Sequence, residues 1–188
     1  VVAESREIDA SPIGVTFFDR DFVIYRGESG NPVMLDAYCK HMGTHLGKNT
    51  SAMLIVADVG GKRIEGDAIR CPYHGWRYNS EGHVDDIPYH DGPCPKSASI
   101  RSYPVVDNMG CIMMWFDEQG SDPLYPPPYL QQWDEAGWVH WNLDHLPELD
   151  IHPQEVLDNM ADNRHLGPTH GAPCEYFENE IKDHVLIQ

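Results

Sequence analysis

Along the first 120 residues, apolar positions come in short β-branched and aromatic runs broken by turn formers, the pattern of strands rather than helices. Gly14–Asp19 and Phe22–Arg26 read as two strands, and Glu28–Asn31 as a turn into a third over Val33–Tyr38. Met53–Val59 and Arg63–Arg70 read as a hairpin about Gly60 and Gly61. Ser99–Val106 and Gly110–Phe116 read as a further pair around Asp107 and Asn108. Strands at this spacing, with no helical stretch between them, predict a small antiparallel β-sandwich or barrel.

The pattern changes after Gly120. Residues 120–129 read GSDPLYPPPY, and Pro126–Pro128 can continue neither a helix nor a central strand. The stretch reads as a boundary or semi-rigid connector over 121–137, and equally as a Pro-rich surface loop. Trp138–Asn142 reads as one more strand. From His152 to His165 the residues favour a helix, with Pro153 suited to its first turn. Val156, Leu157, Met160 and Ala161 share one face that can be buried, and Gly167 and Pro168 are expected to end the helix. No internal repeat or low-complexity tract interrupts the chain. The expected organisation is a domain over 1–120, the connector, and a second domain begun over 138–188.

Charge narrows the partners. Thirteen Lys and Arg against thirty Asp and Glu give a net charge of −17, which repels phosphate backbones and anionic lipid headgroups, so neither nucleic acid nor a membrane surface is expected as partner. The longest apolar runs, Met53–Ala57 and Cys111–Phe116, fall far short of the ~20 residues that span a bilayer. The N-terminal VVAESREIDA lacks the basic and apolar regions of a secretory signal, so a cytoplasmic location is expected. Five cysteines without regular spacing make a poor disulfide framework, while eleven histidines turn attention to metal.

Two stretches carry the first candidate site: CKHMGTHL at 39–46 and CPYHGW at 71–76. Each offers one thiol and one imidazole close to a glycine. Two Cys and two His suit a structural zinc by ligand type, but Cys-x-His paired with Cys-x-x-His is also the ligation of a Rieske [2Fe–2S] centre. Residues 39–46 and 71–76 resemble the two cluster-binding loops of the Rieske family. The resemblance implies that Cys39 and Cys71 hold one iron and His41 and His74 the other, with Trp76 packed beneath. The 29 residues between His41 and Cys71 exceed the family's usual spacing, and the excess is expected in Ser51–Arg63. His45, within the first loop, reads as a loop residue. Cys94, Cys111 and Cys174 lack paired spacing and read as packing residues.

The second candidate is Asp162-x-x-His165-x4-His170, preceded by Asn159. Asn159, Asp162 and His165 recur every third residue, and so lie on one face of a helix. Alone, the pattern reads equally as a solvated helix end. Following a Rieske module, Val156–His170 resembles the iron-binding helix of Rieske non-haem iron oxygenases. That resemblance implies His165 and His170 as ligands of a mononuclear Fe(II), with Asn159 as a weaker candidate. It implies Asp162 as an inter-subunit bridge to a cluster histidine, and a carboxylate ligand lying beyond Gln188. DNMADNRHLGPTHGAPCEYFEN, together with CKHMGTHL, resembles the oxygenase components of 3-ketosteroid 9α-hydroxylases and their sterol-oxidising relatives.

The family resemblance implies a mainly β Rieske domain, an antiparallel sandwich or barrel, followed by the start of an α+β catalytic domain. It also implies an oxygenase component: an NADH-dependent reductase or ferredoxin as electron source, O2 and a small hydrophobic substrate, and a homotrimer. An electron-carrying Rieske ferredoxin, and behind it a zinc-stabilised interaction domain, are the alternatives.

Overall fold

In the computed structural model, residues 1–48, 62–137 and 148–188 are described. The chain divides into two compact units, Val1–Trp138 and Val139–Gln188. The first unit is organised around the strand Arg20–Arg26 (β3), in which Phe22, Val23, Ile24 and Tyr25 are all fully buried. Because strand side chains alternate, the two halves of this run face different cores. Val23 and Tyr25 pack with Val33, Leu35, Cys39, Ile69, Cys71 and Tyr78, whereas Phe22 and Ile24 pack with Met34, Tyr103 and Ile112. β3 therefore belongs to a middle layer, and one of its two cores contains the cysteines of both candidate loops.

β3 pairs antiparallel with Ile13–Phe17 (β2) and Pro32–Asp36 (β4), and β4 in turn with Ser102–Tyr103 (β9). Two short strands, Ile64–Glu65 (β5) and Ala68–Arg70 (β6), continue through Arg77–Tyr78 (β7) and Val84–Asp86 (β8) as a second four-stranded sheet. Ala3–Glu4 (β1), Cys111–Met114 (β11) and Val105–Asn108 (β10) make a three-stranded sheet. The protein is thus mainly antiparallel β with few helices. Among the described residues every sheet stays open and no barrel closes.

Several details differ from the sequence-based expectation, each for a local reason. Arg63–Arg70 is itself a hairpin, turned at Gly66 with φ +61°. The Ser99–Val106 segment changes sheets at Pro104, which has no N–H to continue a ladder: β9 before it pairs with β4, and β10 after it with β11. The turn expected at Asp107 and Asn108 lies at Met109 and Gly110, both with positive φ, because Asn108 pairs directly with Cys111. The Met53–Val59 hairpin arm, its Gly60–Gly61 turn, the excess length expected in Ser51–Arg63 up to residue 61, and the Trp138–Asn142 strand lie outside the described residues. The Pro-rich stretch packs on β10 and β11: Asn108 Nδ2 donates to Pro128 O at 2.9 Å, and Tyr125 meets Trp115 edge-on.

In the second unit, Pro153–Ala161 (α1) begins at a His152 cap, whose Nδ1 accepts from Gln154 N at 3.1 Å. α1 ends at Asp162, earlier than expected. Gly167 and Pro168 do not terminate it but sit in the first turn of a second helix, Leu166–His170 (α2), where a missing N–H costs nothing. The apolar face of α1 is not covered by the described residues: Val156, Leu157 and Met160 are 46–54% exposed. Glu180–Lys182 (β12) and Val185–Ile187 (β13) form a terminal hairpin. Among the described residues no helix is long and apolar enough to cross a membrane.

Candidate metal centres

The two loops of the first site are built alike. Loop one follows β4; loop two joins β6 to β7. In each, the glycine four residues after the cysteine returns its N–H to the cysteine carbonyl: Gly43 to Cys39 at 2.9 Å, Gly75 to Cys71 at 3.1 Å. In each, the cysteine N–H reaches the carbonyl five residues on, Thr44 at 2.9 Å and Trp76 at 2.8 Å. Both closures need a left-handed residue, and Gly43 and Gly75 stand at φ +73° and +75°.

This geometry turns backbone N–H groups onto sulfur, those of His41 and Met42 onto Cys39 and those of Tyr73 and His74 onto Cys71. Both thiols are buried, and Tyr78 Oη lies 3.1 Å from Cys39 Sγ while accepting Lys40 N–H at 2.9 Å. The two sulfurs lie within hydrogen-bond reach of each other. The contact with Cys71 pulls the Cys39 thiol well below its ordinary pKa, against burial and aided by Tyr78 and the backbone donors. The same contact, burial and the Cys39 charge push Cys71 up. The pocket thus favours a thiolate at Cys39 and a thiol at Cys71, while the backbone donors of each loop favour charge on its own sulfur.

The imidazoles lie farther out. His41 and His74 meet with ring centroids 4.7 Å apart, His41 stacks on Trp76 at 4.6 Å and 6°, and Tyr73 lies 3.8 Å from His74. Beneath loop two, the buried Arg70 donates to Gly75 O at 2.6 Å and pairs with Glu65 and Asp86. Arg63 donates to Leu46 O at the end of loop one and to Arg70 O at the start of loop two. The donors therefore stand as a thiol pair and an imidazole pair. A tetrahedral zinc takes four donors around one ion, whereas a Rieske centre takes a thiolate pair on one iron and an imidazole pair on the other. The residues present fit the second.

At the second site, Asp162 caps α1. Its Oδ1 accepts from Arg164 N at 2.8 Å, and its Oδ2 lies 3.6 Å from His165 Nδ1. That Nδ1 is buried without a hydrogen-bond partner, an orphaned polar atom beside a carboxylate. The rings of His165 and His170 meet edge-on at 5.3 Å, brought together by the single turn of α2 and the left-handed Gly171 that closes it. Two imidazoles with a carboxylate alongside suit a divalent metal. Asn159 stands apart: its backbone carbonyl accepts from Asp162 N at 3.4 Å, and the residue is exposed.

Sequence reasoning missed Tyr78, whose signal is its place in the strand after loop two, and the Glu65–Arg70 support, which carries no motif. His45 caps its own loop, its Nδ1 accepting from Gly47 N and Lys48 N at 3.0 and 3.1 Å. Cys111 is buried on β11 and Cys94 is half-buried against the main core, while Cys174 is exposed.

Residues 1–104 match the Rieske [2Fe-2S] domain family, and residues 114–188 match the 3-ketosteroid 9alpha-hydroxylase C-terminal domain. The first match covers more than half of the chain, and the chain belongs to the Rieske [2Fe–2S] family. Among its relatives, a probable 3-ketosteroid-9-alpha-monooxygenase oxygenase component of Rhodococcus rhodochrous is 31% identical over 96% of this chain and 42% of the relative. Cholesterol 7-desaturase nvd of Bombyx mori is 34% identical over 91% of this chain and 34% of the relative. A crystal structure of dicamba monooxygenase with non-heme iron and dicamba superposes with a TM-score of 0.54 at 27% identity, over 69% of this chain and 36% of that one. The chain spans less than half the length of these relatives.

Proposed function

We propose that the chain is part of the oxygenase component of a multicomponent Rieske non-haem iron monooxygenase. Its substrate is a steroid-like or other polycyclic molecule, by likeness to relatives named for 3-ketosteroids and cholesterol. The observation that carries the reading is the second constellation: His165 and His170 meet beside Asp162, downstream of a paired thiol–imidazole site. An electron carrier needs only the latter.

In this reading Cys39 and Cys71 hold one iron of a [2Fe–2S] cluster, and His41 and His74 hold the other. His165 and His170 hold a mononuclear Fe(II). When bound, these groups supply single electrons and a centre for dioxygen activation. The chain's own residues position them. Tyr78 and the loop N–H groups stabilise charge on the ligand sulfurs, and Arg70 fixes loop two through the Gly75 carbonyl. Asp162 orients His165 and, by hydrogen bonding, bridges to a cluster histidine of a neighbouring subunit in a homotrimer. An NADH-dependent reductase or ferredoxin is the electron source, in the cytoplasm.

The test is the ratio of iron to acid-labile sulfide in the chain loaded anaerobically with both. Three irons to two sulfides is the expected result. Two to two would leave only a Rieske cluster on this chain, as in an electron-transfer module or in part of an oxygenase whose mononuclear iron needs further ligands.

A further inference from the structure

Resting on the reading of His41 as a cluster ligand, we propose that Tyr89 is a positioning residue for His41, acting through Trp76. The Trp76 indole N–H donates to Tyr89 Oη at 2.6 Å, and the face of the same indole carries the His41 imidazole at 4.6 Å, within 6° of parallel. His41 itself is exposed, on a loop whose Gly43 has open space around it. The flat ring below it and the edge of His74 are what its imidazole meets.

An indole face orients a neighbour only if the indole is itself held. Trp76 is fixed at its N–H end by a phenol that is 59% exposed, and that phenol sits on a segment anchored by the buried Ile87, whose carbonyl accepts His90 N at 3.0 Å. The contacts thus run from the core at Ile87 to Tyr89, to Trp76, to His41. The Trp76–Tyr89 bond spans thirteen residues and joins loop two to the segment after β8. Because it lies outside the sulfur pocket, it acts on the orientation of the imidazole and not on the donor set.

The electron-rich indole face stabilises positive charge on a stacked imidazole, and so favours the oxidised cluster. Loosening the stack should therefore make reduction easier, by about two- to fivefold in its equilibrium constant, the equivalent of one exposed cation–π contact. Tyr89→Phe, Trp76→Phe and Trp76→Leu separate the parts. All three should keep two irons and two sulfides per cluster and the parent's visible spectrum. Tyr89→Phe and Trp76→Phe should each raise the reduction equilibrium constant, and the double variant should add nothing beyond Trp76→Phe. Trp76→Leu should raise it at least as far.

A second readout needs no metal. In the metal-free chain, nuclear magnetic resonance should show the His41 ring protons shielded by the indole, and Tyr89→Phe should move both those signals and the Trp76 indole resonance. Unchanged indole and His41 signals in Tyr89→Phe would overturn the proposal whatever the metal content. So would an unchanged midpoint potential with an intact cluster. A parent chain that forms no Rieske cluster would instead count against His41 as a ligand, and the metal-free signals would still decide whether Tyr89 positions its ring.

Discussion

Glu65 lies 2.6 and 2.9 Å from Nε and Nη2 of Arg70 and 2.8 Å from Nη1 of Arg77, and Arg70, only 3% exposed, in turn holds the Gly75 carbonyl of loop two. The hydrogen bond from Arg70, outweighing burial and reinforced by Arg77, brings the Glu65 carboxyl down from 4.5 to about 2. A carboxylate whose folded pKa is depressed stabilises the fold above its unfolded pKa and loses that contribution as pH falls through the folded value. The window here is from about 4.5 down to about 2, and with solvent screening of this partly exposed carboxylate its contribution is about 1–2 kcal/mol. Glu65→Gln keeps the shape and removes the charge. Urea unfolding of the metal-free chain between pH 2 and 7 should find the variant less stable by about 1–2 kcal/mol at pH 6 to 7. The deficit should shrink below pH 4.5 and vanish near 2. A deficit that is absent at neutral pH, or constant across the range, would refute the assignment of Glu65 as the ionic anchor beneath loop two.

Three further outcomes follow from the same geometry. Tyr78→Phe removes the hydroxyl shared by Cys39 Sγ and Lys40 N–H, and should cost about 1–2 kcal/mol in unfolding. It should also lower the midpoint potential of the loaded cluster, since a hydrogen bond to a ligand sulfur favours the reduced state; an unchanged potential would contradict that role. Gly43→Ala meets open space but forces φ +73° on an alanine, so its urea midpoint should fall by the equivalent of about 1–2 kcal/mol, with no cost expected only if the loop can abandon that turn. Asp162→Ala in the complete enzyme should retain both metals yet lose coupled turnover; normal turnover would remove the bridging role.

The strand over Phe22–Arg26 was legible because its signal is local, a β-branched and aromatic run between turn formers; that both of its faces would be covered was not read from it. The pairing of the two loops was legible through the family resemblance their Cys and His spacing carries, and their similarity in the structure follows from the glycine each turn requires. What escaped depends on pairings and contacts that residue propensities do not encode. Pro104 separates two strands that belong to different sheets, which no run of propensities reveals. The turn at Met109 and Gly110 has a non-glycine residue at positive φ, so its position is set by the pairing of β10 with β11 rather than by composition. Pro168 looked like a stop because proline ends helices, yet at the start of α2 the same missing N–H is tolerated. Tyr78, Glu65, Arg70 and Tyr89 carry no motif; their roles come from contacts made only after the sheets form.

Pulsed electron paramagnetic resonance on the reduced chain, loaded anaerobically with iron and sulfide and labelled with 15N-histidine, tests the Rieske assignment most directly. A cluster held by Cys39, Cys71, His41 and His74 predicts couplings from two imidazole nitrogens to a single two-iron centre, lost on His41→Ala or His74→Ala. A cluster with no imidazole coupling, or an unaltered signal in those variants, would contradict it.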